Sequence, residues 1–153
     1  MKPVFTSLAL LIFIQLFACC NKNNTITSSP ENVLNTDRMK MKITIGTTAF
    51  TATLYNNPTV TAFKTRLPMT INMSDLNANE KYFDLPNSLP ANASNPGTIQ
   101  AGDLMLYGSN TLVLFYKSFS TSFNYTRLAR IDNPSGLAAA LGSDNVTVKF
   151  ELE

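Results

Sequence analysis

Met39-Lys40-Met41-Lys42-Ile43-Thr44-Ile45 puts an apolar side chain at every second position, with lysine or threonine between. That period of two is the mark of an extended strand with one face on a core and the other in water. Working outward, Phe50, Ala52 and Leu54 alternate with Thr51 and Thr53. Leu67, Met69, Ile71 and Met73 alternate with Pro68, Thr70, Asn72 and Ser74, and Val146, Val148, Phe150 and Leu152 alternate with Thr147, Lys149 and Glu151. Gly46-Thr47 and Gly108-Ser109-Asn110 supply hairpin connections. The second joins residues 103–107 to 111–117, whose core Leu112-Val113-Leu114-Phe115-Tyr116 is apolar on both faces and predicts a central strand. Residues 125–131 make a further strand.

Two short helices interrupt this pattern. Asn57-Pro58 has the form of an N-cap followed by a first-turn proline, with Val60, Phe63, Lys64 and Leu67 at helical spacing and Pro68 as the stop. Asn133-Pro134 and Gly142 bracket Leu137-Ala138-Ala139-Ala140-Leu141 in the same manner. About eight strands with one helix early and one late predict a mainly β protein, an antiparallel barrel capped by two short helices.

Composition removes whole classes of chemistry. There is no histidine, so Ser–His–Asp and Cys–His nucleophile systems and histidine metal sites are excluded. Both cysteines, Cys19 and Cys20, precede the alternating region, which therefore holds neither a disulfide nor a thiol nucleophile. No glycine-rich phosphate loop occurs. The formal charge is +2 and falls by one when Lys2 is removed with residues 1–18, so nothing marks nucleic acid as a partner. No cofactor is implied. Asp75-x-Asn77-x-Asn79 begins like a calcium loop, but Glu80 stands at its sixth position and Pro86 at its twelfth, so no metal is expected. Asp75, Glu80 and Asp84 are the carboxylates from which an acid/base pair could be drawn.

At the start of the chain, Met1-Lys2 precedes an apolar stretch over residues 4–17, then Leu16-Phe17-Ala18-Cys19. A basic tip, a short apolar run and a small residue before the cut form a secretory signal, too short for the ~20 apolar residues of a membrane span. The Leu-x-Ala-Cys ending resembles the bacterial lipobox. The resemblance implies a lipid on Cys19, a signal peptide over 1–18 and attachment to the cell envelope. Cys20 rather than Asp follows, which favours the outer membrane facing the periplasm. Asn, Thr and Ser dominate residues 19–38, the composition of a disordered tether, leaving 39–153 as the folded domain.

The order of elements is similar to the bacterial cyclophilin-like fold. Pro58-Thr59-Val60-Thr61-Ala62-Phe63 resembles the first cyclophilin helix. Gly102-Asp103-Leu104-Met105-Leu106-Tyr107 followed by Leu114-Phe115-Tyr116 resembles the strand pair of the family's aromatic pocket wall, and the stretch from Tyr125 through Ile131 resembles its closing section. Leu67-Pro68-Met69, Asn79-Glu80-Lys81-Tyr82 and Tyr125-Thr126-Arg127-Leu128 together look like the small bacterial cyclophilin-like domains, whose activity the resemblance leaves undefined. True cyclophilins carry an arginine in the strand after the first helix, where it assists rotation about a prolyl bond against a barrier of about 18–20 kcal/mol. Here that strand reads Met69-Thr70-Ile71-Asn72-Met73, Tyr125 replaces the pocket histidine, and no tryptophan exists in the chain.

The resemblance therefore implies a binding or accessory module for a peptide or small-molecule ligand. Its alternatives are a prolyl isomerase with an atypical site and a structural subunit of an envelope complex. The candidate groove joins Met69 and Met73 to Phe115 and Tyr125, with Arg66 and Arg127 as the cations able to stand in for the missing arginine.

Overall fold

The computed structural model describes residues 39–153. Cys19, the signal-like segment and the Asn-rich stretch lie outside the described residues. Strands β1 (Lys40–Ile45) and β2 (Thr48–Leu54) form a hairpin, α1 (Pro58–Lys64) follows, and β3 (Met69–Leu76) and β4 (Glu80–Asp84) form a second hairpin. After β5 (Thr98–Ile99) come β6 (Asp103–Tyr107), β7 (Thr111–Phe115), β8 (Phe119–Ser120), β9 (Tyr125–Ile131), α2 (Leu137–Leu141) and β10 (Val146–Leu152). Eight of these strands close into an antiparallel barrel in the order β1-β10-β3-β4-β7-β6-β9-β2, while β5 and β8 pair as a separate ribbon. Closure pairs every strand of the barrel on both sides and leaves no edge exposed.

The period of two sets the interior. Ile43 stands opposite Phe50 on one side and Phe150 on the other, Phe150 opposite Met69, and Ile71 opposite Val148. All these residues except half-buried Met69 are buried members of one core, and Met69 packs against it. Helix α1 adds Val60 and Phe63, the latter meeting Phe150 edge-on at 6.5 Å between ring centres, and α2 adds Leu137 and Leu141. Each such side chain contributes roughly 1.5–3 kcal/mol by leaving water.

Strand β7 is buried on both faces, as its sequence predicts, and β6 is buried on both faces up to exposed Tyr107. Leu104, Leu106, Leu112 and Leu114 point into the barrel, whereas Met105, Val113 and Phe115 point out and join a second cluster with Ile99 and Tyr125. The β5–β8 ribbon covers that outer face, because Ile99 and its pairing partner Phe119 both pack into the cluster.

Glycine is required at Gly102, where φ is +92° and a Cβ would come within 3.1 Å of the Ile131 side chain and 3.2 Å of Pro134. There the backbone of Gly102 links two strands, its N–H donating to Phe115 and its carbonyl accepting from Ile131.

Three local details differ from expectation. Helix α1 ends at Lys64 rather than running to Leu67, since Thr65 caps it and Arg66 N–H bonds back to Phe63. Its start is as read: the Asn57 side chain accepts from the Val60 N–H at 2.9 Å. Helix α2 begins after Gly136, and Asn133 instead accepts from the Ser135 N–H in a turn before it. Strand β4 and the two-residue strands β5 and β8 extend the sequence reading. The inward positions of β4 are Lys81 and Phe83, so a charge interrupts the apolar alternation that would have marked the strand.

Candidate functional site

The outer face of β6, β7 and β9 is built from aromatic rings. Phe119 contacts Phe115 at 5.7 Å between centroids, Phe115 contacts Tyr125 at 5.5 Å, Tyr125 contacts Tyr107 at 5.5 Å, and Tyr107 contacts Phe123 at 6.1 Å. Edge-on and tilted geometries at these distances suit the ring quadrupoles. The five rings form one continuous row. Phe115 is fully buried, but Tyr107 and Phe123 are 46% and 59% exposed, so the row runs from beneath the β5–β8 ribbon out to solvent. Strand alternation explains it: Met105 and Tyr107 face out between inward Leu104 and Leu106, and Tyr125 pairs with Tyr107 across β9.

Glu80 lies at the buried end. It pairs with Phe115 across the β4–β7 ladder and is buried, and burial followed by the nearby charge of Asp75 raises its carboxyl above the usual range. Burial, then the charge of Glu80, also raises the Tyr125 hydroxyl, with a hydrogen bond from Thr121 opposing. The site thus combines an apolar aromatic surface with a desolvated carboxyl group that holds its proton more tightly than a free one.

The six residues read from the sequence do not share this surface. Phe115 and Tyr125 do, in contact with each other. Met73 is fully buried inside the barrel and Met69 packs against the same interior, because both occupy the inward phase of β3. Arg66 is half-buried and donates to the carbonyls of Asn87 at 2.8 Å and Ser88 at 3.0 Å, fastening the chain after β4 to the end of α1. Arg127 points outward from β9, next to Met105, with its guanidinium 6.0 Å from the Tyr55 ring centre. Tyr82, Tyr107, Phe119 and Phe123 are the rings of this face that the sequence-derived groove does not include. For Tyr107 a signal existed in the phase of β6, while Phe119 and Phe123 lie in segments too short or irregular to carry one.

The carboxylates separate likewise. Asp75 faces the barrel interior, where it accepts from the Tyr116 hydroxyl at 2.8 and 3.0 Å and lies 3.6 Å from Lys81 Nζ. Asp84 is exposed and accepts from Thr111 at 2.6 Å. Among the described residues no three acidic or cysteine side chains converge on a metal position. The outward positions of β3 carry Thr70, Asn72 and Ser74, so no cation stands there.

The sequence model of the cyclophilin-like family matches residues 43–151. Among solved structures, a hypothetical protein of Archaeoglobus fulgidus, AF2241, determined in solution, is similar with a TM-score of 0.53 at 19% identity; the match covers 76% of this chain and 95% of that one. At that identity the likeness speaks for the fold alone. No curated protein matches the chain significantly in sequence.

Proposed function

The chain belongs to the cyclophilin-like family, and from that premise we propose that its barrel is a ligand-binding module without isomerase chemistry, held at the bacterial envelope by lipid on Cys19. The observation that carries the reading is the five-ring row, which ends in two half-exposed rings and has no cation on the outward side of β3. Prolyl rotation is accelerated by a preorganised charge at the imide nitrogen, whereas the outward cation of β9, Arg127, lies over the Tyr55 ring. The row offers instead flat apolar area at low side-chain entropy cost, the property that makes aromatic residues dominate recognition surfaces. The ligand class that fits is an extended peptide with apolar or aromatic side chains.

The chain has no tryptophan, so fluorescence of a tryptophan-bearing peptide reports binding without background. We expect such peptides to bind the full chain in mild detergent, and Tyr107→Ala combined with Phe123→Ala to weaken them by about tenfold or more. Both side chains are half-exposed, so the variant keeps its fold. Acceleration of prolyl isomerisation in a protease-coupled assay would replace this reading with the enzymatic one. Unchanged affinity in the double variant would remove the row from the site.

For the anchor, Cys19→Ser is expected to move the protein from the membrane fraction to the soluble fraction. Two or three acyl chains, at about 0.8 kcal/mol per buried CH₂, hold a protein on a bilayer and one chain barely does. Retention of the variant in membranes would refute lipidation at Cys19.

A further inference from the structure

A cleft of about 750 Å³ opens between α1, the end of β2 and the end of β9, and no ring of the aromatic row lines it. Its inner wall is apolar, formed by Leu54, Val60 and Ile131, each of which also belongs to the barrel core. Its polar boundary includes Lys64, Arg130 and Asp132.

The charges at that boundary are unequally committed. Asp132 is bonded to Lys40 at 2.7 Å and accepts from Thr53, so its carboxylate is already matched. Lys64 Nζ meets only a neutral sulfur, that of Met39 at 2.9 Å, and no carboxylate pairs with it among the described residues. Arg130 is about half exposed, and its Nε stands 4.0 Å from Asp103 Oδ1, too far for a hydrogen bond; that oxygen is buried without a hydrogen-bond partner. A concave apolar wall with two incompletely satisfied cations at its mouth has the size and polarity pattern of a small-molecule site.

We propose that this cleft is a second binding site, separate from the aromatic row, for a small amphiphilic carboxylate. The apolar body lies on Leu54, Val60 and Ile131, and the carboxylate accepts from Lys64 and Arg130. A cationic ligand is disfavoured because Asp132, the one carboxylate at the mouth among the described residues, is held by Lys40 and Thr53. A neutral one of the same shape forgoes the charge-assisted bonds, which are the strong ones.

The test uses three water-soluble probes of equal length, 4-phenylbutyrate, 4-phenylbutan-1-ol and 4-phenylbutylamine, titrated calorimetrically into the full chain against a detergent blank. The carboxylate is expected to bind with a Kd near or below ~1 mM, and the alcohol and amine about tenfold or more weaker. Lys64→Gln should weaken the carboxylate by about tenfold, and Lys64→Arg should restore most of that loss. Lys64 lies at the surface end of α1, so neither substitution disturbs the core. The chain carrying Tyr107→Ala and Phe123→Ala should bind the carboxylate unchanged. Equal binding of the three probes, no carboxylate binding, indifference to Lys64→Gln, or loss of binding in the aromatic double variant would each overturn the proposal.

Discussion

Phe150→Ala should lower the stability of the barrel by about 3–5 kcal/mol, which for a domain of this size corresponds to a fall in Tm of roughly 12–20 °C. Phe150 is fully buried, sits opposite both Ile43 on β1 and Met69 on β3, and makes a T-shaped contact with Phe63 from α1. The truncation therefore removes packing at the place where the last strand joins the first and where the early helix seals the interior. Neighbouring side chains cannot collapse into the space, because β10 is fixed by ladders on both sides. Denaturant unfolding should show the midpoint displaced with little change in slope. Phe123→Ala serves as the control: that ring is 59% exposed, and its removal should cost no more than about 0.5 kcal/mol. A loss below about 1.5 kcal/mol for Phe150→Ala would mean that the barrel does not depend on this closure.

The alternation that places Phe150 inside is legible in the sequence, and so is the closed barrel. Met41, Ile43 and Ile45, Phe50, Ala52 and Leu54, and Val148 and Phe150 all fall on the phase their spacing dictates. Period two states which side chains share a face. It does not state which face of a doubly apolar strand belongs to which core. Val113 and Phe115 alternate with Leu112 and Leu114 as equals in hydrophobicity, yet one set fills the barrel and the other lies outside it under the β5–β8 ribbon. That ribbon consists of two-residue strands, below the length at which a period can be recognised.

The same limit explains the candidate groove. Phe115 and Tyr125 lie in ring contact, and the sequence groups them because both resemble residues of the family's pocket. The resemblance groups Met69 and Met73 with them, yet the alternation these two share with Ile71 assigns them to the interior. Periodicity was the stronger physical argument there. Arg66 illustrates the other gap: its two bonds are to backbone carbonyls some twenty residues away, a use that no local pattern announces.

Strand β4 lacks a readable alternation because Lys81 occupies an inward position, and Lys81→Ala is expected to be as damaging as loss of a core ring, at about 3–5 kcal/mol. The side chain has no exposure to water. Its Nζ donates to the Asp144 carbonyl at 2.7 Å, in the connection between α2 and β10, and lies 3.6 Å from Asp75 Oδ1 and 5.6 Å from the Tyr116 ring centre. Alanine would leave the Asp144 carbonyl without this donor, Asp75 without its counter-charge, and a void where the stem had been. Lys81→Met keeps most of the stem and so isolates the polar part, which should cost about 1–3 kcal/mol. The cluster also sets an alkaline limit. Burial, the hydrogen bond to Asp75 and the charges of Asp75 and Glu80 push the Tyr116 hydroxyl up to about 12. An unfolded tyrosine loses its proton near 10, so the folded state holds this proton more tightly than the unfolded state does. The corresponding stability is complete below pH ~10 and is lost as pH rises through ~12, in total roughly 2–3 kcal/mol. Tyr116→Phe should flatten that part of the stability–pH curve, measured by urea unfolding across the window. If Lys81→Ala and Lys81→Met both stayed within about 1 kcal/mol of the parent, the lysine would be a passenger at the barrel's end, and the joining of β3, β4 and the α2–β10 connection would rest on apolar packing alone.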